Sequence, residues 1–148
     1  VFLSTGLATL DEVAEALRHL ESVPTVYVLH CVAVYPASDE DANLRAIQTL
    51  QQRFPHRPAG YSDHTLGIAA SVVAVGLGAR VIEKHFTLDK QLPGTDHVLS
   101  VTPRELREMV ETIRRVERML GSGQKQPAAR EVAVREFVRR RFPKTAAA

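Results

Sequence analysis

Short runs of apolar residues alternate along this chain with longer segments in which apolar residues recur every three or four positions. The runs at residues 1–3, 25–29, 58–62 and 80–86 have the length and composition of parallel strands. A segment with helical spacing follows each run, and the repeat of roughly thirty residues predicts four βα units. The stripes that predict three of the helices are Val13, Leu17 and Leu20; Leu44, Ile47, Leu50 and Phe54; and Leu106, Met109, Val110, Ile113, Val116 and Leu120.

The starts of two helices are marked by polar pairs, and the remaining helix has an unusual composition. Thr9 with Glu12, and Thr102 with Glu105, have the spacing of a capping box, in which each side chain bonds the other residue's amide. Residues 67–77 are rich in Ala, Val and Gly on nearly every side. This composition predicts a helix that is buried on several sides.

Four parallel strands with helical crossovers form either half of a (β/α)8 TIM barrel or the core of an open, doubly wound sheet. Polar residues follow all four predicted strands, whereas an open sheet concentrates its site at one switch point. No G-x-G-x-x-G turn follows a strand, so a dinucleotide-binding sheet has no local support. The pattern therefore favours an α/β half barrel with its chemistry at the carboxyl ends of the strands.

The composition fits one globular domain, since 45% of the 148 residues are hydrophobic and 24% are charged. The net charge of +2 does not indicate a nucleic acid, and the nearly apolar stretch 68–79 is shorter than the roughly 20 residues that span a bilayer. We expect neither a nucleic-acid nor a membrane partner. Cys31, the only cysteine, excludes an internal disulfide and favours a cytoplasmic location. The first residues lack a Met and a basic region, so they predict no signal peptide and read like the middle of a longer chain.

The chain changes character after Gly121, a residue suited to end the last helix. Residues 1–121 carry the βα units and are expected to form a partial barrel domain. Residues 122–148 read as a linker and a basic C-terminal tail with consecutive arginines at 139–141. We expect a solvated terminus, with a nucleic-acid or acidic-surface contact as the alternative.

A polar cluster that ends in His64 follows the third predicted strand. Along an extended chain, residues two apart share a face, so Ser62 and His64 are expected to point together. Asp63 points the other way, where it is expected to orient His64 or to bond loop amides.

A similar cluster ends the fourth strand, where the same rule groups Glu83 with His85 and sets Lys84 apart. A salt bridge behind the barrel is therefore expected for Lys84. If the two strands are neighbours, His64 and His85 converge above the barrel mouth, where two imidazoles suit Mn, Fe, Co or Zn. The alternative for each histidine is a hydrogen-bonded structural role.

Five motifs lie at strand ends and in the following loops: LSTG (3–6), LHC (29–31) with YP (35–36), GYSDHT (60–65), IEKHFT (82–87) and PGTDH (93–97). In this order they resemble the sialic acid synthase family. The resemblance runs from about residue 1 to residue 121 and covers what looks like strands 5 to 8 of the barrel, the second half. It implies condensation of phosphoenolpyruvate with an N-acetylated sugar aldehyde such as N-acetylmannosamine, which gives a nonulosonic acid and phosphate.

The resemblance also implies roles for individual residues. His64 and His85 would hold a divalent metal, manganese by preference with Mg, Co or Zn as alternatives, that polarises the aldehyde oxygen. Glu83 would be catalytic or would only steady the metal, and both roles stay open. The residues implied in substrate binding are Ser4, Tyr35 and Ser62 on the phosphoenolpyruvate side and Asp96 on the sugar side.

Other interpretations remain at this stage. Tyr35 could pack a turn, and Ser62 could cap the following helix. The resemblance implies that the family's first barrel half, with its phosphate-binding lysines, is not part of these 148 residues, and that Ala33 stands where relatives often carry a small polar residue. We expect a homodimer or a complementary barrel half as partner. The alternatives to the synthase are a non-catalytic barrel fragment that self-associates and another phosphoenolpyruvate-condensing synthase of 3-deoxy sugar acids.

Overall fold

The computed structural model describes residues 1–141 of the chain, and residues 142–148 of the predicted tail lie outside the described residues. Strands and helices alternate through the first four units, as the sequence predicts. The strands are β1 (Phe2–Ser4), β2 (Tyr27–Cys31), β3 (Ala59–Asp63) and β4 (Ile82–Lys84). The helices are α1 (Leu10–His19), α2 (Ala46–Arg53), α3 (Ala69–Gly76), α4 (Pro103–Leu120), α5 (Ala129–Val132) and α6 (Arg135–Arg141).

The four strands form one parallel sheet in the order β1-β2-β3-β4, so each strand lies beside its neighbours in the sequence. The register aligns Cys31 with Ser62 and Ser62 with Glu83. Residues at the carboxyl ends of β2, β3 and β4 are therefore brought to the same edge of the sheet. The sequence predicted this juxtaposition.

The hydrophobic core lies between the sheet and its helices. Alternate strand residues such as Val28, Tyr61 and Ile82 face α1, α2 and α3, while the residues between them face the other side of the sheet. The buried members of the core are Val13, Leu17, Val26, Val28, Ile47, Leu50, Ala59, Tyr61, Ala70, Ala74 and Ala79.

Both predicted capping boxes are present at the helix starts. Thr9 and Glu12 cap α1, and Thr102 and Glu105 cap α4, each pair through reciprocal side-chain to backbone bonds. Gly121 follows α4 with φ 60°, a backbone conformation that glycine adopts without strain. These local signals confirm where the two helices begin and where α4 ends.

The structure differs from the sequence prediction at three main places. The helix predicted to be buried on several sides is α3, which buries one face through Ala70, Ser71 and Ala74, because only that face packs on the sheet and Val73 on the other side is half exposed. β4 covers only Ile82–Lys84 rather than residues 80–86, since its ladder with β3 ends where Asp63 meets Lys84. In the predicted linker and tail, α5 and α6 form two short helices, and every residue of both is exposed. The domain division at Gly121 stays a prediction. No helix within residues 1–141 is both long and apolar enough to cross a membrane.

Gly60, in the middle of β3, allows an unusually close approach of its two neighbouring strands. A Cβ atom there would collide with Leu29 Cδ2 and would lie 2.7 Å from the Val81 carbonyl oxygen. We expect Gly60→Ala to lower the free energy of unfolding by about 1–3 kcal/mol, because the sheet must spread to admit the methyl group. Urea unfolding followed by circular dichroism measures the change.

Gly76 provides the matched control, since a Cβ there meets nothing within 4 Å and the residue lies in α3. Gly76→Ala is expected to raise the free energy of unfolding by about 0.5–1 kcal/mol. If both alanine variants have the same stability, the close approach at Gly60 is not a constraint on the sheet.

Candidate active site

The imidazoles of His64 and His85 converge at the carboxyl ends of β3 and β4. Their ring centroids are 5.3 Å apart. Tyr35, in the loop after β2, places its ring 4.0 Å from that of His64 and 5.7 Å from that of His85, by centroid distance. The structure therefore brings together three residues that the sequence analysis placed on three different segments.

A backbone carbonyl fixes the tautomer of His64. Its Nδ1 lies 2.7 Å from the Val32 carbonyl oxygen, which can only accept, so Nδ1 carries the proton and donates. Nε2 then keeps its lone pair, the form in which imidazole binds a metal. The Cys31 Sγ atom, 3.8 Å from the same Nδ1, makes a weaker contact. Sequence reasoning missed the role of Val32, because a backbone acceptor has no signature in the sequence.

The segment 32–37 is attached to His64 at both of its ends. Besides the bond to Val32, the Ala37 amide donates to the His64 carbonyl oxygen at 3.0 Å. Ala37 also forms a parallel β-bridge with Thr65. Tyr35 is carried by this doubly attached segment.

Ser62 and Glu83 form a hydrogen bond across β3 and β4. The buried Ser62 hydroxyl donates to Glu83 Oε1 at 2.7 Å, and the rest of the Glu83 side chain is exposed. A cavity of about 290 Å³ is lined by these two residues with Lys84 and His85. The predicted grouping of Ser62 with His64 and of Glu83 with His85 agrees with this arrangement.

Asp63 and Lys84 point to the other side of the sheet and form a buried ion pair. The Lys84 Nζ lies 3.2 Å from Asp63 Oδ2, and their side chains are 2% and 0% exposed. Burial lowers the pKa of Lys84 from its ordinary value, while the Asp63 carboxylate acts in the opposite direction. Asp63 also accepts from the Thr65 amide, so the predicted salt bridge and the predicted loop-amide bond are both confirmed.

Asp96 lies in the long loop after β4, beside a cavity of about 360 Å³ that His85 and His97 also line. Its Oδ2 is 3.9 Å from His85 Nδ1, which is beyond hydrogen-bond distance. His97 Nδ1 is 2.8 Å from Thr87 Oγ1, so His97 ties the loop to the end of β4. His97 therefore has a structural role, which the sequence analysis did not predict.

Tyr35 is half exposed beside the two imidazoles, whereas Ser4 lies farther along the same edge of the sheet. Partial loss of hydration is the main cause that raises the pKa of the half-exposed Tyr35 above its ordinary value, with smaller contributions from Cys31, Asp96 and Glu83. Ser4 is exposed at the end of β1, and β2 separates it from β3. The described residues thus place Ser4 on the same edge of the sheet but away from the imidazoles.

The donor set in this part of the chain fits a metal that takes only two protein ligands. Within residues 1–141, no group of three or more His, Cys, Asp or Glu side chains is placed to hold an ion. The fixed tautomer of His64 and the nearby ring of His85 offer two imidazoles. Such a site would leave several coordination positions for water and substrate oxygens.

A curved parallel sheet with alternating helices and a polar site at its carboxyl edge defines part of a (β/α)8-barrel protein. Comparison of the sequence with models of known protein families is more specific than the fold alone, because the model of the NeuB family matches residues 1–125. The chain belongs to the NeuB family.

Two curated proteins that are similar to this chain are named as synthases of legionaminic and sialic acids. The N,N'-diacetyllegionaminic acid synthase of Legionella pneumophila is 48% identical over 149 residues, which cover 95% of this chain and 41% of that protein. The N-acetylneuraminate-9-phosphate synthase of Mus musculus is 45% identical over 135 residues, which cover 90% of this chain and 38% of that protein. The resemblance that the sequence motifs carry is confirmed at the level of the family.

A solved structure confirms the predicted fold class. The N-acetylneuraminic acid (sialic acid) synthetase of Leptospira borgpetersenii serovar Hardjo-bovis, in complex with citrate, superposes with a TM-score of 0.86 at 39% identity. The match covers 98% of this chain and 50% of that chain. This chain spans about two fifths of the length of the curated relatives it matches, with 41% and 38% of the two synthases covered.

Proposed function

We propose that this chain supplies the metal-binding part of an enzyme that condenses phosphoenolpyruvate with an N-acetylated sugar aldehyde such as N-acetylmannosamine. The products are a nonulosonic acid and phosphate. The observation that carries the proposal is the convergence of His64 and His85, with His64 held in the tautomer that leaves Nε2 available. The names of the relatives, which are synthases of legionaminic and sialic acids, support the same reaction class.

The bound cation is proposed to be divalent, with Mn²⁺ preferred and Mg²⁺, Co²⁺ or Zn²⁺ as alternatives. Held by His64 and His85, it would supply Lewis-acid polarisation of the sugar's aldehyde oxygen. The methylene carbon of phosphoenolpyruvate attacks the aldehyde carbon, which leaves a carbocation on the carbon that carries the phosphate group. Water adds to this carbocation, and phosphate then leaves. The rest of the rate enhancement depends on how the chain positions the two substrates.

Each remaining site residue has a proposed task in this reaction. Tyr35 donates a hydroxyl hydrogen bond to phosphoenolpyruvate, and Ser4 does so from the end of β1. Ser62 has a single hydroxyl proton, so it binds phosphoenolpyruvate by turning this proton from Glu83 to the substrate. Glu83, which accepts from Ser62 in this structure, would take a proton from the water that adds to the substrate. Asp96 accepts hydrogen bonds from the sugar hydroxyls, since its half-exposed carboxylate borders the cavity beside His85.

Partners and location are part of the proposal as well. Within residues 1–141, β1 and β4 each have a neighbouring strand on one side only, and unpaired strand edges favour association. We propose a complementary barrel half or a homodimer as the partner that covers them. The cytoplasmic location expected from the single cysteine stays a prediction.

The test is an assay of phosphate release with phosphoenolpyruvate and N-acetylmannosamine, after chelation and after readdition of Mn²⁺. We expect release to require both substrates, to stop on chelation and to return with Mn²⁺. Absence of release at every metal concentration, with a complementary barrel half present, would favour the non-catalytic alternative. Faster release with unacetylated aldoses than with their N-acetylated counterparts would favour a synthase of 3-deoxy sugar acids.

A further inference from the structure

The ammonium group of Lys84 contacts both residues that flank His64 in the sequence. It pairs with the Asp63 carboxylate and donates to the backbone carbonyl of Thr65. Lys84 itself immediately precedes His85. One buried side chain therefore joins the backbone on both sides of the first imidazole to the backbone beside the second, from the opposite face of the sheet.

The Asp63 carboxylate is held on all sides, so this connection has little freedom to rearrange. Oδ1 accepts from the amide and the hydroxyl of Thr65, both at 2.8 Å. Oδ2 accepts from the Ser71 hydroxyl at 2.6 Å as well as from Lys84, and Ser71 belongs to α3. A buried network with every partner present rigidifies the elements that it joins. Here it joins β3, β4 and α3 directly behind the candidate site.

The imidazoles have weaker constraints on their own side of the sheet. His64 has its bond to the Val32 carbonyl, and the contact between His85 and Asp96 is 3.9 Å long. The separation of the two rings is therefore set mainly by the backbone positions of residues 64 and 85. The Ala37 amide, 3.0 Å from the His64 carbonyl oxygen, and the Val101 amide, 2.8 Å from the His85 carbonyl oxygen, tie each residue to its own loop. The Lys84 contacts add the connection between residues 63–65 and the backbone beside His85.

We propose that Asp63 and Lys84 are positioning residues, which set the separation of the His64 and His85 rings and so the affinity of the site for a divalent cation. The cation part of this inference rests on the proposed function. The geometric part concerns only the two rings and can be tested without any metal.

The test variant is Lys84→Met, which keeps the length and the apolar stem of the side chain but removes the ammonium group. Two quantities are measured: Mn²⁺ affinity by the electron paramagnetic resonance of free Mn²⁺, and nuclear Overhauser cross-peaks between the ring protons of His64 and His85. We expect Mn²⁺ affinity to fall about 10- to 100-fold, the range seen when groups behind metal ligands are removed. We expect the cross-peaks to weaken or vanish while the circular dichroism spectrum of the fold is retained.

Leu50→Ala is the control, because Leu50 is a buried core residue on α2 that takes no part in the network. It lowers stability by packing alone, and we expect it to leave both Mn²⁺ affinity and the cross-peaks as in the wild type. Ser71→Ala is the second test variant, since it removes one donor to Asp63 and keeps both charges. It is expected to change both readouts in the same direction as Lys84→Met, and it decides the question if Lys84→Met does not fold.

The outcomes separate this inference from the proposed function. Unchanged cross-peaks in a folded Lys84→Met protein, or their absence in the wild type, would overturn the positioning role whatever happens to the affinity. An effect of Leu50→Ala equal to that of Lys84→Met would also overturn it. If the wild type binds no Mn²⁺ but Lys84→Met still loses the cross-peaks, the positioning role stands and the proposed metal site fails.

Discussion

Replacement of His64 by alanine is expected to slow phosphate release about a thousandfold. The residue supplies one of the two imidazoles that the site offers to a cation, and its Nε2 lone pair is held available by the Val32 carbonyl. Lewis-acid polarisation contributes several kcal/mol to a reaction of this kind, and a loss of about 4 kcal/mol corresponds to a thousandfold in rate. The rate is measured as phosphate released from phosphoenolpyruvate at saturating Mn²⁺ and N-acetylmannosamine.

His56→Ala is the matched control, since His56 is an exposed histidine in the loop that follows α2. Its rate is expected to equal that of the wild type. A His64→Ala protein that retains more than about a tenth of the wild-type rate would contradict the assignment of His64 to the metal. That result would instead indicate that His64 is a hydrogen-bonded structural residue.

Loss of either partner of the Asp63–Lys84 pair is expected to lower the free energy of unfolding by about 3–5 kcal/mol, because the remaining charge stays buried without its counterion. Both side chains are almost fully inaccessible, and Asp63 is the acceptor for Thr65 and Ser71 as well. The single variants Asp63→Asn and Lys84→Met are compared with the wild type by urea unfolding at pH 7. The double variant should cost clearly less than the sum of the two, since it leaves no buried charge and asparagine keeps an acceptor.

Lys90→Met serves as the control for this cycle. The Lys90 Nζ pairs with Glu105 at 2.8 Å, but about a third of each side chain is exposed, with values of 34% and 28%. A pair this accessible is expected to contribute about 0–1 kcal/mol. Additive costs for the two substitutions at Asp63 and Lys84 would show that the pair is not energetically coupled.

Much of the fold could be predicted because its signals are local or periodic. The alternation of strands and helices followed from the spacing of apolar residues, and the Thr9 and Thr102 caps followed from short-range pairs. The length of β4 could not be predicted, because pairing with β3 stops where Asp63 meets Lys84 and no residue marks that point. The helices α5 and α6 were also missed, since the glycines, the prolines and the arginine run around them indicated a linker and tail. Val134, Phe137 and Val138 do have helical spacing, but they are exposed and pack on no core among residues 1–141.

The candidate site was predictable to the extent that strand alternation controls it. The period of two placed Ser62 and Glu83 on one face and Asp63 and Lys84 on the other, and the structure confirms both pairs. Two contacts of the site could not be predicted from strand alternation. Ser71 is hidden in a helix of Ala and Val, so its bond to Asp63 depends on how α3 packs on the sheet.

The second of these contacts is the Val32 carbonyl, a backbone group that any residue at position 32 would provide. Its position depends on the path of the chain after β2, which no sequence pattern specified. The roles of Ser4, Tyr35 and Asp96 in substrate binding depend on ligands and stay predictions.

The attachment of segment 32–37 to His64 at both ends has a consequence for how this chain tolerates change in length. Surface loops usually accept insertions, because their ends can stay in place while the middle expands. Here, both ends bond to one histidine, through Val32 and Ala37, and Tyr35 lies between them. An added residue would break the bond that sets the tautomer of His64 or displace the ring of Tyr35. Length variation after β2 therefore belongs at the exposed residues 39–40, between the second attachment and the buried Ala42, whose carbonyl oxygen contacts His30 Nε2.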